Sequence, residues 1–250
     1  MSDALKSDGL SRVALVTGAN KGIGLAVAAQ LAGLGWTVLL GARDESKGRE
    51  AAETLRTRGG DVRYQAIDIT NAESVGRAAA DIEGTFGRLD ALVNNAGVKL
   101  EWHPSPPSAC SMDIIRQTYE TNVFGTMNVI LAMLPLIRRS KAGRIVNVSS
   151  GLGSITLAKT LGTPFNEKPM LSYSTSKAAI NSMTVQFANE LRDTAIKVNA
   201  VDPGYTRTEM TFNDGSRTPE QAARPVVRLA TLPDDGPSGG FFNEAGVVPW

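Results

Sequence analysis

The sequence predicts an α/β fold in which helices cover both faces of one parallel sheet. Short apolar segments alternate with longer helical patterns, and several of these segments are apolar throughout rather than at every second position. Parallel strands with both faces buried read in this way, and each needs a crossover helix to reach the next. The pattern therefore predicts a doubly wound sheet. Because such a sheet uses nearly all 250 residues, we expect a single domain, 1–250.

The first half of the chain consists of three predicted strand and helix units. RVALVT (12–17), WTVLLGA (36–42) and DVRYQAID (61–68) are short runs that contain β-branched and other apolar residues, as buried strands do. Helical patterns follow them at 23–35, 45–58 and 72–86, of which the second is strongly charged. Residues 1–11 are polar and are expected to form a tail.

The second half continues the alternation with two interruptions. Strands are expected at 88–97, 143–150 and 196–204, with helices on either side of Thr121 and around Tyr173. Residues 151–170 contain several Gly and Pro positions, which predict a loop or a short helical excursion inserted before the second of these helices. Residues 206–224 are predicted to form a mobile loop on the substrate side. Ligands of open α/β sheets bind beyond the carboxyl ends of the strands, so both segments are expected to border a pocket.

Composition narrows the range of functions. A net charge of +1 gives no reason to expect nucleic acid or an anionic membrane as partner. The one cysteine, Cys110, excludes an intramolecular disulfide and fits a reducing cytosol. A nucleophilic pair of Cys110 with His103 is conceivable, but an incidental thiol is the simpler interpretation, and a single histidine argues against a zinc site. No signal peptide and no apolar run of about 18 residues is recognised, so a soluble, cytoplasmic protein without metal is predicted.

A glycine-rich segment follows the first strand directly. In TGANKGIG (17–24), Gly18, Gly22 and Gly24 allow a tight turn and a bare backbone at the start of the next helix. A helix N-terminus favours an anion, so the segment predicts a pyrophosphate site that includes Asn20, Lys21 and Ile23. The spacing differs from the common G-x-G-x-x-G, and the alternative is a glycine-rich connection without a ligand.

The end of the second strand bears on the choice of cofactor. NAD-binding proteins usually place an acid there, whereas this sequence has the neutral Ala42 followed by Arg43. Arg43 and Lys21 would together attract a 2′-phosphate, which favours NADPH over NADH. The alternative is that both are ordinary surface charges, and Asp44 could contact the ribose if it turned inward.

Tyr173 and Lys177 are four residues apart in the helical segment SYSTSKAAI. Positions i and i+4 share a helix face, so a lysine there can lower the pKa of a tyrosine and make it a proton donor. By itself such a pair also occurs by chance.

Taken jointly, these motifs resemble the short-chain dehydrogenase/reductase family over about residues 11–245. The glycine-rich loop, NNAG (94–97), Ser150 after a strand, and Tyr173 with Lys177 occur in the family's order. The resemblance implies a Rossmann-type fold. Within the family the chain looks most like NADPH-dependent carbonyl reductases, judged from GANKGIG, ARD, TNVFGT, NVSS, DPGYTRTEM and PDDGPSGGFF.

The resemblance implies a catalytic role for four residues. Tyr173 would be the general acid in carbonyl reduction, and Lys177 would hold the nicotinamide ribose and lower the pKa of the tyrosine. Ser150 would hydrogen-bond the substrate oxygen, while Ser149 would be structural. Asn122 would hold a water that links Lys177 to solvent.

It also implies the remaining cofactor contacts. Asp68 and Ile69 would lie at the adenine, and Asn94, which would also support the central sheet, would form a wall near the adenosine ribose with its neighbours. The predicted contacts beyond the glycine-rich loop and Arg43 are Asp68, Ile69, Asn94, Ala96, Gly97, Tyr173, Lys177, Pro203, Gly204, Thr206 and Thr208.

The expected function is reduction of aldehyde or ketone carbonyls of a small molecule by NADPH. An alternative is a biosynthetic ketoreductase or alcohol dehydrogenase of narrow specificity, because substrate choice depends on variable loops. A non-catalytic NADPH-binding regulator is disfavoured because Tyr173, Lys177 and Ser150 are all present. A sugar-nucleotide epimerase would usually need a larger substrate domain.

The chain departs from the family in one place. Ser150 and Tyr173 are 23 positions apart, longer than usual, and the extra length falls in 151–170. An insertion there could block the helix pairing that forms family oligomers, so a monomer is favoured. Candidate substrate contacts, which could equally be core residues or incidental, are Leu152, Phe165, Met170, Tyr205 and Trp102.

Overall fold

The computed structural model describes residues 11–163, 167 and 169–250. In this part of the chain eight strands form one sheet in the order β3-β2-β1-β4-β5-β6-β7-β8, and every neighbouring pair is parallel except β7 with β8. The strands are β1 (Val13–Thr17), β2 (Thr37–Ala42), β3 (Val62–Ala66), β4 (Ala91–Asn94), β5 (Arg144–Val148), β6 (Lys197–Val201), β7 (Phe241–Asn243) and β8 (Gly246–Val247).

Helices pack on both faces of this sheet. They are α1 (Gly22–Gly33), α2 (Glu45–Arg56), α3 (Ala72–Phe86), α4 (Met112–Tyr119), α5 (Thr126–Ile137), α6 (Ile155–Lys159), α7 (Leu171–Glu190) and α8 (Pro219–Ala230). A π-helical turn, Glu120–Gly125, joins α4 to α5. Short 3₁₀ turns occur at Pro107–Ala109, Gly151–Gly153 and Glu209–Thr211.

The alternation of side chains in β1 shows why both faces are covered. Ala14 and Val16 point into the core beneath α1, α2 and α8, whereas Val13 and Leu15 point into the core beneath α3, α5 and α7. Successive residues of a strand face opposite sides, so a strand buried on both faces is apolar throughout. The predicted Rossmann-type, doubly wound parallel sheet is therefore confirmed.

The strand order creates the place where a ligand can bind. The chain builds β2 and β3 on one side of β1 and then crosses to β4 on the other side. The loops that leave β1 and β4 consequently diverge, and they open a crevice at the carboxyl edge of the sheet.

The prediction of a loop over 206–224 is wrong in part, because α8 begins within this segment at Pro219. Thr218 and Gln221 form a capping box: the backbone N–H of Gln221 donates to Thr218 Oγ1 (3.3 Å), and the backbone N–H of Thr218 donates to Gln221 Oε1 (2.9 Å). A proline in the first turn followed by such a box is a helix start signal that the sequence contains. Strands β7 and β8 were also not predicted.

The segment Met112–Ile137 is more apolar than the sequence prediction allowed. Its 26 residues are helical and include a window of 18 residues that is apolar enough, by length and composition alone, to permit a membrane span. Half of that apolar window is buried inside the protein. Its inward side packs beneath the sheet with α3 and α7, as a core helix does.

The described part of the 151–170 insertion packs on the last residues of the chain. Leu157 contacts the cluster of Ala200, Phe241 and Val248, and Ser154 Oγ donates to the Pro249 carbonyl (2.7 Å). Leu152 and Met170 are half-buried and do not line the crevice. The predicted contact Phe165 lies outside the described residues.

Candidate active site

A cavity of about 630 Å³ fills the crevice at the carboxyl edge of the sheet. A larger open groove of about 870 Å³ lies between α2 and β3, but it is lined by residues of those elements and contains none of the predicted site residues. The predicted residues that line the crevice are Gly18, Asn20, Lys21, Gly22, Ile23, Arg43, Asp68, Ile69, Ala96, Gly97, Tyr173, Lys177, Pro203 and Thr208. Those that do not line it are Gly24, Asn94, Asn122, Ser150, Gly204 and Thr206.

One end of the cavity is the turn between β1 and α1. Gly18 (φ +63°) and Gly22 (φ +57°) both adopt left-handed backbone conformations, and a Cβ on Gly18 would lie 2.9 Å from Ala96 Cα. Lys21 at the N-cap of α1 makes no side-chain capping bond. The first backbone amides of α1 therefore have no side-chain partner, and the glycines beside them leave room for a ligand. This arrangement fits a pyrophosphate.

Asn95 holds this turn in place, a role that the sequence analysis missed. Its Nδ2 donates to the carbonyls of Thr17 (2.9 Å) and Gly18 (3.2 Å). A Cβ on Gly24 would lie 2.5 Å from the same Nδ2, so Gly24 supports the turn instead of lining the cavity. The signal was the second asparagine of NNAG, at a strand end beside the turn.

Asn94 is buried in the sheet and is not part of the cavity wall. Its Nδ2 donates to Asn147 Oδ1 (2.8 Å), and Asn147 Nδ2 in turn donates to Thr184 Oγ1 (2.9 Å). The structure agrees with the predicted support of the central sheet and differs from the predicted cofactor contact. The reason is strand alternation, which turns consecutive side chains to opposite faces.

Cations and acids share the cavity end near β2. Lys21 is paired with Glu209, and both side chains are more than half exposed. Asp44 caps α2 by accepting from the backbone N–H of Lys47 (3.0 Å), and it also pairs with Lys47 Nζ (3.6 Å). Asp44 is therefore turned toward its own helix. Among the described residues, Arg43 has no ion-pair partner.

Tyr173 and Lys177 lie at the other end of the cavity, on the first turns of α7. Lys177 Nζ is 5.6 Å from the centroid of the Tyr173 ring and donates to the Val148 carbonyl (2.8 Å). Ser150 is close enough to the Tyr173 hydroxyl to lower its pKa, and Ser150 Oγ accepts from the backbone N–H of Leu152 (3.2 Å). Ser149 Oγ is buried and donates to Asn181 Oδ1 (2.6 Å), although Ser149, and not Ser150, is among the residues that line the cavity.

The pKa of Tyr173 is shifted in the direction opposite to the prediction. Burial, together with the charge of Asp202, raises the pKa of Tyr173 to about 12, and the neighbouring Ser150 hydroxyl opposes this rise. Burial also lowers the pKa of Lys177 to about 8. The lysine ammonium points to the Val148 carbonyl rather than to the phenol oxygen, so its expected effect on the tyrosine is not in place in this structure.

The side chain of Asn122 makes three hydrogen bonds to protein groups. Asn122 Oδ1 accepts from the Val98 backbone N–H (2.8 Å), while Nδ2 donates to the Val98 carbonyl (2.9 Å) and to Ser176 Oγ (3.0 Å). It thereby ties the loop after β4 to α7 from within the π-helical turn. The predicted role of Asn122 in holding a water stays a prediction.

Asp68 and the segment after β6 complete the walls. Asp68 Oδ1 accepts from the backbone N–H (3.0 Å) and the hydroxyl (2.8 Å) of Thr70. Thr206 is buried and donates to the Gly204 carbonyl (2.9 Å), so these two residues shape the segment from behind. Thr208 reaches the cavity next to Gly22.

Two aromatic rings meet at the rim. Trp102 and Phe212 lie with ring centroids 5.5 Å apart, and Lys99 Nζ is 6.0 Å from the Phe212 ring. Phe212 (φ +52°) has a left-handed backbone, which is uncommon for a bulky residue. Sequence reasoning named Trp102 but not Phe212. Tyr205 is exposed and does not line the cavity.

The described residues contain no cluster of three or more His, Cys, Asp or Glu side chains that could hold a metal ion. Cys110 Sγ lies 3.9 Å from the Ser111 carbonyl.

Comparison with known proteins agrees with this geometry. Residues 12–218 match the family model for short chain dehydrogenase. The chain is 34% identical to carbonyl reductase [NADPH] 1 of Rattus norvegicus, over 95% of this chain and 98% of that protein. Salutaridine reductase from Papaver somniferum has a similar structure, with a TM-score of 0.80, 30% identity, and coverage of 93% of this chain and 99% of that one.

A short chain dehydrogenase from Shigella flexneri, solved with NADP, superimposes with a TM-score of 0.81 at 28% identity, over 93% of this chain and 96% of that one. The fold, the match over 12–218 and the full-length similarity lead to one conclusion. The chain belongs to the short-chain dehydrogenase/reductase family of oxidoreductases.

Proposed function

We propose that this protein reduces the carbonyl group of a small aldehyde or ketone to an alcohol with NADPH. The observation that carries the proposal is one continuous cavity with an anion-binding turn at one end and Tyr173 and Lys177 at the other, where Ser150 lies next to Tyr173 without lining the cavity. A dinucleotide placed along the cavity would bring its nicotinamide to that group.

The chemistry of reduction matches the side chains at the nicotinamide end. When bound, NADPH supplies the hydride. Negative charge then grows on the carbonyl oxygen, and hydroxyl donors from Ser150 and Tyr173 would stabilise it before Tyr173 transfers its proton. A raised pKa keeps Tyr173 protonated at neutral pH, as a proton donor requires.

Lys177 would orient the nicotinamide ribose and stabilise the phenolate that Tyr173 becomes. For that role Nζ must leave the Val148 carbonyl or share its protons with it, and an ammonium has three protons to donate. The neighbouring ribose would replace part of the hydration that burial removes.

Three observations support NADPH over NADH. Arg43 lines the cavity at the end of β2, where an acid would hold the ribose hydroxyls of NAD. Asp44 is turned away into its helix cap. The names of the rat relative and of the Shigella complex also mention NADPH and NADP.

The similarity to salutaridine reductase supports a second candidate function, that of a ketoreductase with narrow substrate specificity. The carbonyl chemistry at Tyr173 would be the same. The two versions differ in the range of ketones that the rim around Trp102 and Phe212 admits.

Loss of NADPH absorbance tests the proposal, with aldehydes, diketones, ketoesters and quinones as substrates and NADH in parallel. Turnover of several classes with NADPH, much slower with NADH, is the expected result. The Tyr173→Phe variant should lose about 10²- to 10⁴-fold in kcat, the usual contribution of a general acid, while still binding NADPH. Near-normal turnover by that variant would contradict the assignment.

A further inference from the structure

A buried glutamate, Glu101, contacts helix α7 at Tyr173, the proposed proton donor. It lies in the loop after β4, and its side chain is almost wholly inaccessible to solvent. Glu101 Oε2 accepts from the backbone N–H of Tyr173 (3.0 Å) and from Ser172 Oγ (2.6 Å). No other carboxylate among the described residues accepts a hydrogen bond from α7.

These contacts replace a missing local cap. The first amides of a helix have no partner inside it, and the third position is one that an N-cap side chain usually serves. Here Met170 occupies the N-cap and makes no side-chain bond, and Tyr173 is the third residue of α7. Glu101 serves that amide from 72 residues away in the sequence.

The second contact joins a third element to the same point. Ser172 Oγ accepts from Thr118 Oγ1 (3.2 Å) on α4 while it donates to Glu101. The loop that forms the cavity wall, α4 and the start of α7 therefore meet at one carboxylate. A negative charge at a helix N-terminus is also favoured by the helix dipole.

Burial of this carboxylate is costly, which argues against an incidental contact. Within the described part of the chain, Glu101 Oε1 is buried and makes no hydrogen bond of normal geometry. The Cys110 thiol lies beside this carboxylate, and burial together with Glu101 raises the pKa of that thiol. A buried carboxyl group with an unsatisfied oxygen persists where the surrounding structure gains something else from it. What it gains here is a fixed position for the backbone of Tyr173.

We propose that Glu101 is a positioning residue for the reaction. Its side chain is long enough to accept a hydrogen bond from the backbone N–H of Tyr173, and this bond fixes the position of Tyr173 relative to the substrate carbonyl. This inference rests on the proposed role of Tyr173 as proton donor. Displacement of a reacting group by about 1 Å can cost 10²-fold in rate, so loss of the contact should reduce kcat rather than cofactor binding.

Two conservative variants separate the effect of side-chain length from the effect of charge. Glu101→Gln keeps the length and an oxygen acceptor but loses the charge, and its kcat should stay within about threefold of wild type. Glu101→Asp keeps the charge but retracts the oxygens by one methylene, and its kcat should fall about 10- to 100-fold, with KM and the Kd for NADPH within about twofold. Equal kcat in the Asp variant and wild type, or equal loss in both variants, would overturn the proposal.

A matched control removes the purely structural explanation. Ile82→Val destabilises the core in the second half of α3, far along the chain from the site. It should lower the melting temperature without changing kcat, whereas Glu101→Asp should change kcat at temperatures where it is fully folded. If both variants lose kcat in proportion to melting temperature, Glu101 is only structural and the proposal fails.

Wild type and Tyr173→Phe are assayed alongside. An inactive wild type, or an active Tyr173→Phe variant, would refute the proposed function and this inference with it. An active wild type and an inactive Tyr173→Phe variant, combined with normal Glu101→Asp, would refute the inference alone.

Discussion

At the scale of single residues, the arginine at the end of β2 is the sharpest test of cofactor choice. Arg43 lines the cavity, and Lys21 is already paired with Glu209. A hydrogen bond to a charged group contributes about 1.5–3 kcal/mol, of which 1.4 kcal/mol corresponds to a factor of ten. Arg43→Ala should therefore raise KM for NADPH about tenfold or more and leave KM for NADH unchanged.

The matched control is another arginine from the same region. Arg49 lies on α2, pairs with Glu45 and lines the separate groove. Arg49→Ala should leave both KM values unchanged. A similar rise in KM for NADPH in both variants would mean that general charge, and not a specific contact with Arg43, attracts the cofactor. Glu209→Gln should lower KM for NADPH, because it frees Lys21.

Lys177 links stability to pH. Its pKa falls from 10.5 to about 8 on folding, so between these values the unfolded chain binds more protons than the folded one. Stability contributed by this group therefore rises as pH increases through that window, and below pH 8 the folded state carries the full cost of a buried ammonium. At 1.36 kcal/mol per pH unit, the change amounts to about 3 kcal/mol.

The comparison with Lys177→Met isolates this effect. Urea unfolding without cofactor gives the free energy of unfolding of both proteins from neutral pH to about pH 10.5. The difference should move in favour of wild type by about 3 kcal/mol across the window. A difference independent of pH would show that the pKa of Lys177 is not lowered. The raised pKa of Tyr173 is common to both proteins, so its loss of stability above pH 10 largely cancels.

At the scale of elements, a close approach between the turn after β5 and α7 sets the position of α7. A Cβ on Gly153 would lie 2.7 Å from the Lys177 carbonyl carbon and 2.8 Å from Lys177 Cβ. Gly153→Ala should push α7 outward, cost about 1–3 kcal/mol of stability through overpacking, and reduce kcat. Thermal unfolding and turnover measure both effects.

The same substitution in α3 should have the opposite sign. Gly76 is exposed, and a Cβ there would meet nothing within 4 Å. Gly76→Ala should stabilise the protein by about 0.5–1 kcal/mol, because alanine is the better helix former. If Gly153→Ala were as benign as Gly76→Ala, α7 would not depend on that contact.

How far the sequence predicts these elements depends on whether the signal is local. Strand β1 could be predicted because burial on both faces makes its residues apolar, and α3 because its pattern is periodic. Helix α8 was not predicted, although Thr218 and Gln221 form a capping box that is a local signal for a helix start. The partnership of Glu101 with Tyr173 has no local signal, since it depends on two loops meeting across the sheet.

The site shows the same division. The order of motifs along the chain predicts that the glycine-rich turn and the Tyr173 and Lys177 pair share one cavity, and they do. The direction of the pKa shift of Tyr173 could not, because it depends on how far the ring is buried and on where the Lys177 ammonium points. The pairing of Lys21 with Glu209 likewise exists only in the folded chain.

At the scale of the whole molecule, the insertion before α7 favours a monomer, and this stays a proposal. Its described part packs against the last residues of the chain. Two apolar side chains favour a dimer instead, because exposed apolar surface can bind a second copy of the chain. They are Phe124 in the π-helical turn and Leu131 in α5, which are 54% and 56% exposed and seven residues apart. Sedimentation velocity should give the monomer mass, and a dimer mass would contradict the proposal.

If a dimer were found, the same two residues offer the next test. Leu131→Glu would place a charge in the exposed apolar patch and should dissociate a dimer built there. A dimer that survives the substitution must use another surface.

The position of Trp102 has a practical consequence for spectroscopy. The chain has three tryptophans: Trp36 is buried, Trp250 stacks on Phe241, and Trp102 lies at the cavity rim. Reduced nicotinamide absorbs where indole emits, so energy transfer should quench Trp102 most strongly when the cofactor binds. The emission of the wild-type protein would then report cofactor occupancy without turnover, and a Trp102→Phe variant would supply the background.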